Sequence, residues 1–214
     1  MKTLLIAALF ALPARAQETA PLARAVSDAQ ALVAAGPGPG TTSTRPEPDA
    51  DSDSDVEPLE ALGNLHTVEP GLLRSAQPSK EGYATLRGMG VKTILNLKDK
   101  LSAERERAKA RPYGISVENV AMSGFSTPTF AQMDRALEVL KTAPRPILVH
   151  CAHGKDRTGF VVASYRVIEE KVSIPDAVQE AKDAGCCFVM FEDLSSFLRK
   201  YRVHRRAKAR PSPK

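Results

Sequence analysis

The sequence predicts an α/β fold: a single domain with a central, mostly parallel sheet flanked by helices on both faces. Short apolar runs alternate with helix-periodic segments from about residue 65 onward, the pattern of strands joined by crossover helices and covered on both sides. Within that alternation, residues 146–159 (PILVHCAHGKDRTG) read as a buried strand, a tight loop and the opening turn of a helix. Ile147, Leu148 and Val149 form the strand, and Phe160, Val161, Tyr165 and Ile168 recur at helical spacing after the loop. A chain of 214 residues that is 43% apolar has enough material for one core.

Taken in order, residues 65–68 and 72–75 suggest paired strands about the turn Glu69-Pro70-Gly71. Ser79 is a candidate cap for a helix through Arg87, closed by Gly88 and Gly90. Residues 91–97 read as a strand, 102–111 as a polar helix, and 115–120 as another strand. A helix over 129–141 is amphipathic through Met133, Leu137 and Leu140. Two more helices are expected over 174–184 and 191–201.

The loop after residues 147–149 carries the chemistry. Wrapped around a helix N-terminus, it points successive backbone N–H groups inward and makes a cradle for a tetrahedral oxyanion, built by Ala152, His153, Gly154 and Lys155. Gly154 permits the close wrap. These dipoles and the Arg157 cation favour the thiolate of Cys151, the attacking form. Arg157 holds two phosphate oxygens with one planar fork, and Thr158 is placed to donate its hydroxyl to the sulfur.

His150-Cys151-x5-Arg157-Thr158-Gly159 closely resembles the signature loop of the cysteine-based tyrosine and dual-specificity phosphatases. Residues 72–78 (LLRSAQP) and 93–98 (TILNLK) also resemble bacterial members of that group and their plant and fungal atypical relatives. The resemblance implies the dual-specificity phosphatase fold and a phosphocysteine intermediate, with no cofactor and no metal. It puts Lys98 at the rim of the site. His150 is expected to orient the loop rather than to be a ligand. One departure stands out. The family's general acid is an Asp on the loop before the helix that precedes the signature strand, and here that loop reads AMSGFSTP, with Ser126 about where the Asp would fall. A hydroxyl cannot protonate a leaving alkoxide at neutral pH as a carboxylic acid does. Asp156, as proposed for phosphatases of the myotubularin type, is the preferred substitute; Asp134 and substrates with good leaving groups are the alternatives. His153 and Lys155 beside Arg157 suit a polyanionic ester, so phosphoinositides and inositol phosphates compete with phosphorylated protein as substrates.

The rest of the chain is read from composition. Residues 1–16 carry Lys2, an apolar run and Ala14-Arg15-Ala16, a secretory signal peptide with cleavage after Ala16, which implies a secreted or periplasmic protein. Residues 17–58 are a disordered linker rich in Pro, Gly and Asp, 59–205 the phosphatase domain, and 206–214 a basic disordered tail. Residues 1–60 hold 4 basic and 9 acidic groups against 26 and 16 in the remainder, and eight of those cations lie from Arg199 onward. That tail suits weak contact with an anionic membrane; nucleic acid is not expected, and a monomer is. Cys186 and Cys187 are expected as buried small residues, with a second possibility that one pairs reversibly with Cys151. The rivals to a working enzyme are a phosphate-binding pseudophosphatase, on the strength of the missing loop Asp, and a sulfur-transfer enzyme of the rhodanese kind, which would not need Arg157 and Thr158.

Overall fold

The computed structural model describes residues 60–187 and 192–209. The segments expected as a signal peptide (1–16) and a disordered linker (17–58), and the end of the expected basic tail, lie outside the described residues. The turn chemistry of Pro70 and Gly71, the latter at φ 82°, joins β1 (His66–Glu69) to β2 (Leu72–Ser75) as an antiparallel pair. The chain then alternates as expected. Helix α1 (Gly82–Gly88) leads to β3 (Thr93–Asn96), α2 (Lys100–Ala110) to β4 (Ser116–Asn119), and α3 (Phe130–Thr142) to β5 (Ile147–His150). Three helices follow: α4 (Asp156–Ile168), α5 (Ile174–Asp183) and α6 (Leu194–Lys208).

The sheet order is β1-β2-β5-β3-β4, parallel except for the β1 edge. Alternation along the central strands feeds two cores. Leu72, Leu95, Ile147 and Val149 face the larger one, with α3, α4, α5 and α6. Leu73, Ile94 and Leu148 face the smaller, with α1 and α2. Helices therefore cover both faces of a single α/β domain, as the sequence predicts.

Most boundaries move by one or two residues, and the cause is capping. Asp99 accepts from Ser102 N–H at 2.8 Å and starts α2 before Ser102. Thr129 and Gln132 form a reciprocal capping box at α3. Ser79 accepts from the Gly82 N–H, but α1 begins only at Gly82. The last helix departs further, running to Lys208, past the point where the sequence reading starts a disordered tail. Asp134 on α3 explains the extension, because it accepts from Tyr201, Arg205 and Lys208 and pairs with His204, one turn after another of α6. Among the described residues no helix is long and apolar enough to cross a membrane.

Candidate active site

The site lies at the C-terminal ends of β5 and β3, where open α/β sheets place their crevices. Cys151 directly follows β5, and residues 151–155 turn into the N-terminus of α4. Gly154 sits at φ +68°, and a Cβ there would stand 2.4 Å from the Ser75 carbonyl, so the loop wraps closely under β2 only because the side chain is missing. Donors behind the loop take its carbonyls. Arg74 Nη2 reaches Gly154 O at 2.7 Å, Asn64 Nδ2 reaches Gly154 O at 3.1 Å, and the Gln77 N–H reaches Ala152 O at 3.2 Å. With the carbonyls held outward, the Thr158 and His153 N–H groups are left to stabilise the sulfur.

Cys151 is a free thiol at the floor of a cleft of ≈ 450 Å³ lined also by Lys98, Asp99, Met122, Phe125, His153, Asp156 and Arg157. Burial by itself would push the thiol up. The Thr158 hydroxyl and N–H, the Arg157 guanidinium and the His153 N–H outweigh it and hold Cys151 below the ordinary thiol range. Thr158 Oγ1 is fully buried with no nitrogen or oxygen partner, which leaves its hydroxyl to the sulfur. The Arg157 guanidinium stays at the cleft under the loop after β4. Its Nη1 lies 3.4 Å from Met122 O, and a Cβ on Gly124 would touch it at 3.6 Å.

The structure brings most, not all, of the sequence-predicted residues together. Cys151, His153, Asp156, Arg157 and Lys98 wall the cleft, with Lys98 Nζ held 2.6 Å from Gln77 Oε1. Thr158, Gly154 and Ala152 support it from below. Lys155 does not wall the cleft: its aliphatic chain lies along Gly185, whose missing side chain makes the groove it occupies. Ser126 is exposed and likewise absent from the cleft. Asp134 is committed to α6. Burial would raise its carboxyl, but hydrogen bonds from Lys208, His204 and Tyr201 hold it far below the carboxylate range, so it is no proton donor for the cleft. Cys186 and Cys187 are joined to each other, correcting the expectation of separate thiols and of pairing with Cys151. Cys186 packs against Gly159, where a Cβ would meet its sulfur at 2.7 Å.

Sequence reasoning missed Glu106. Its carboxylate is buried behind His150, 2.9 Å from Nε2, and also accepts from Asn96 and Tyr83. The buried residues of α2 are Ala103, Glu106 and Ala110, so the signal was an acid in an otherwise small-residue row at helical spacing. Among the described residues no cluster of His, Cys, Asp or Glu has the makings of a metal site.

A family model described as "Polymorphic toxin system, DSP-PTPase phosphatase" matches residues 70–171, from the β1–β2 turn to the end of the signature helix. Over these residues the chain is similar to the cysteine-based dual-specificity phosphatases. The chain is 30% identical to the dual specificity protein phosphatase TpbA of Pseudomonas aeruginosa, over 57% of this chain and 55% of the relative. It is 32% identical to the inositol diphosphatase DSP4 of Arabidopsis thaliana, over 50% of this chain and 56% of the relative. The chain thus matches about half the length of these curated relatives. Among solved structures, P. aeruginosa TpbA aligns with a TM-score of 0.60 at 27% identity, covering 73% of this chain and 95% of that one. The core catalytic domain of the PP-IP phosphatase SIW14 from S. cerevisiae aligns at 0.59 and 27%, covering 69% and 92%.

Proposed function

We propose that this protein hydrolyses phosphate monoesters through a phosphocysteine intermediate at Cys151. The observation that carries this reading is a free thiol held below its ordinary range at the floor of an open cleft, facing Arg157 and the N–H groups of His153 in the loop and Thr158 in the first turn of α4. The thiolate attacks phosphorus while Arg157 and the loop amides hold the equatorial oxygens. As the S–P bond forms, the P–O bond to the leaving group breaks, and that oxygen takes a proton from the Asp156 carboxyl. Water then attacks phosphorus and gives its proton to the Asp156 carboxylate. The S–P bond breaks, the Thr158 hydroxyl receives the returning thiolate, and inorganic phosphate leaves. Asp99 also lines the cleft, but its side chain caps α2 and the Ser102 N–H holds its carboxyl low. Asp156 is therefore the acid in this scheme.

For substrate, the walls favour a single phosphate on an aromatic ring. With Lys155 turned away, Lys98 and Arg157 face Asp99 and Asp156, and Phe125, 77% exposed, offers a ring surface at the rim. Phosphotyrosine in protein fits that balance better than a highly charged inositol phosphate, while the inositol diphosphatases among the relatives keep the second class in view. Comparing kcat/KM for a phosphotyrosine peptide and an inositol diphosphate ester tests this; the walls favour the peptide by about tenfold or more, and a reversed ratio overturns it. The apolar run after Lys2 supports export to a secreted or periplasmic location, and the cations from Arg199 onward support weak contact of a monomer with anionic membrane.

A further inference from the structure

Glu106 and His150 take no part in the reaction as derived above, yet they form a sealed polar cluster directly behind the nucleophile. Both side chains are fully buried. Glu106 Oε2 accepts from Asn96 Nδ2 at 2.5 Å and from His150 Nε2 at 2.9 Å, and Oε1 accepts from the Tyr83 hydroxyl at 3.1 Å. The Asn96 amide cannot be flipped, because its Oδ1 accepts from the Lys98 N–H at 2.6 Å. On the opposite side of the ring, His150 Nδ1 lies 2.9 Å from the Cys151 carbonyl oxygen. A carboxylate and a carbonyl only accept. Both ring nitrogens therefore carry protons, as the network assigns them, and the ring is an imidazolium whose counter-ion is Glu106.

We propose that Glu106 is a positioning residue for phosphate transfer: it keeps His150 doubly protonated, and the imidazolium so held fixes the Cys151 backbone and places a permanent cation behind the sulfur. This rests on Cys151 being the nucleophile. A buried imidazole with no carboxylate beside it would shed its charge. Glu106 is suited to the task, since burial would raise its carboxyl but the donors His150, Asn96 and Tyr83 bring it below the carboxylate range. Glu106 from α2 faces the ring, and Tyr83 from α1 and Asn96 from β3 face the Glu106 carboxylate. Those facing the sulfur are Arg74 from β2 and Arg157 and Thr158 from α4, with Lys98, Asp99, His153 and Asp156 around the cleft.

The test uses Glu106→Gln, which keeps the shape and one acceptor and removes the charge. Ring ¹⁵N shifts of His150 in the wild-type protein at neutral pH should show two protonated nitrogens, and in Glu106→Gln a single neutral tautomer. The pH profile of Cys151 alkylation by iodoacetamide should move up by about one unit in the variant. With an aryl phosphate, kcat should fall about tenfold at pH 6 and recover partly at pH 8, with KM little changed; Glu106→Asp, which keeps the charge, should restore part of the loss. A neutral His150 in the wild type, or superimposable alkylation profiles, overturns the proposal. If Glu106→Gln fails to fold, the wild-type spectrum alone decides. Loss of the phosphatase reading itself would show separately, as turnover surviving in Cys151→Ser.

Discussion

In the proposed reaction Asp156 is the proton donor and Cys151 the nucleophile, and each role can be tested alone. Asp156→Asn should slow hydrolysis of an alkyl phosphate by about 10²-fold or more and of an activated aryl phosphate by only a few-fold, because general acid catalysis contributes on that scale only when the leaving group needs a proton. Equal losses on both esters would remove Asp156 from the acid role. Cys151 must be ionised to attack, and its thiol is held below the ordinary thiol range. The rising limb of kcat/KM with pH should therefore lie below the titration of an unperturbed thiol measured under the same conditions, and a limb at or above it would contradict the Thr158 and Arg157 contributions. These residues were legible in the sequence because Cys151, Gly154, Arg157 and Thr158 lie within one eight-residue stretch and each has one physical reason to be there. Lys155 misled because its neighbours in sequence gave no hint of Gly185, which draws its chain away. Cys186 and Cys187 misled because adjacency argued against the bond that joins them.

At the level of elements, the cradle depends on how β2 and the β5–α4 loop approach one another. Gly154→Ala puts a methyl carbon against the Ser75 carbonyl and demands a positive φ, so it should lower stability by about 1–3 kcal/mol and phosphate affinity at least tenfold. Chemical denaturation and phosphate titration measure the two effects; a variant with wild-type values for both would show that the loop has room to move. The strands and most helix starts were readable from alternation and capping, Thr129 with Gln132 being the clearest case. Helix α2 shows what was not. Its polar sequence gave a helix but hid that Glu106, not an apolar side chain, points inward, because the donors that make that burial tolerable come from α1, β3 and β5. Likewise α6 outran its expected end because its support, Asp134, is some seventy residues away in sequence.

Across the whole molecule, the two cores on either side of the sheet set the overall stability, and the Asp134 cluster ties the last helix to the larger one. Asp134 is held far below the carboxylate range in the folded chain, so its contribution is fully present above its unfolded value of about 3.9 and is lost as pH falls below that. Asp134→Asn should lower stability by about 1–2 kcal/mol at pH 7 and leave little difference from wild type under strongly acidic conditions; an unchanged melting temperature at pH 7 would show that α6 is held by its apolar face alone. Catalysis should hardly change in that variant, since the cluster lies outside the cleft. The most direct test of the account is acid-quenched single turnover with an aryl phosphate, followed by peptide mapping. It predicts a phosphate adduct on the peptide bearing Cys151, formed within the burst and absent from Cys151→Ser, which should also lose steady-state turnover. An adduct elsewhere, or turnover that survives in Cys151→Ser, would contradict it.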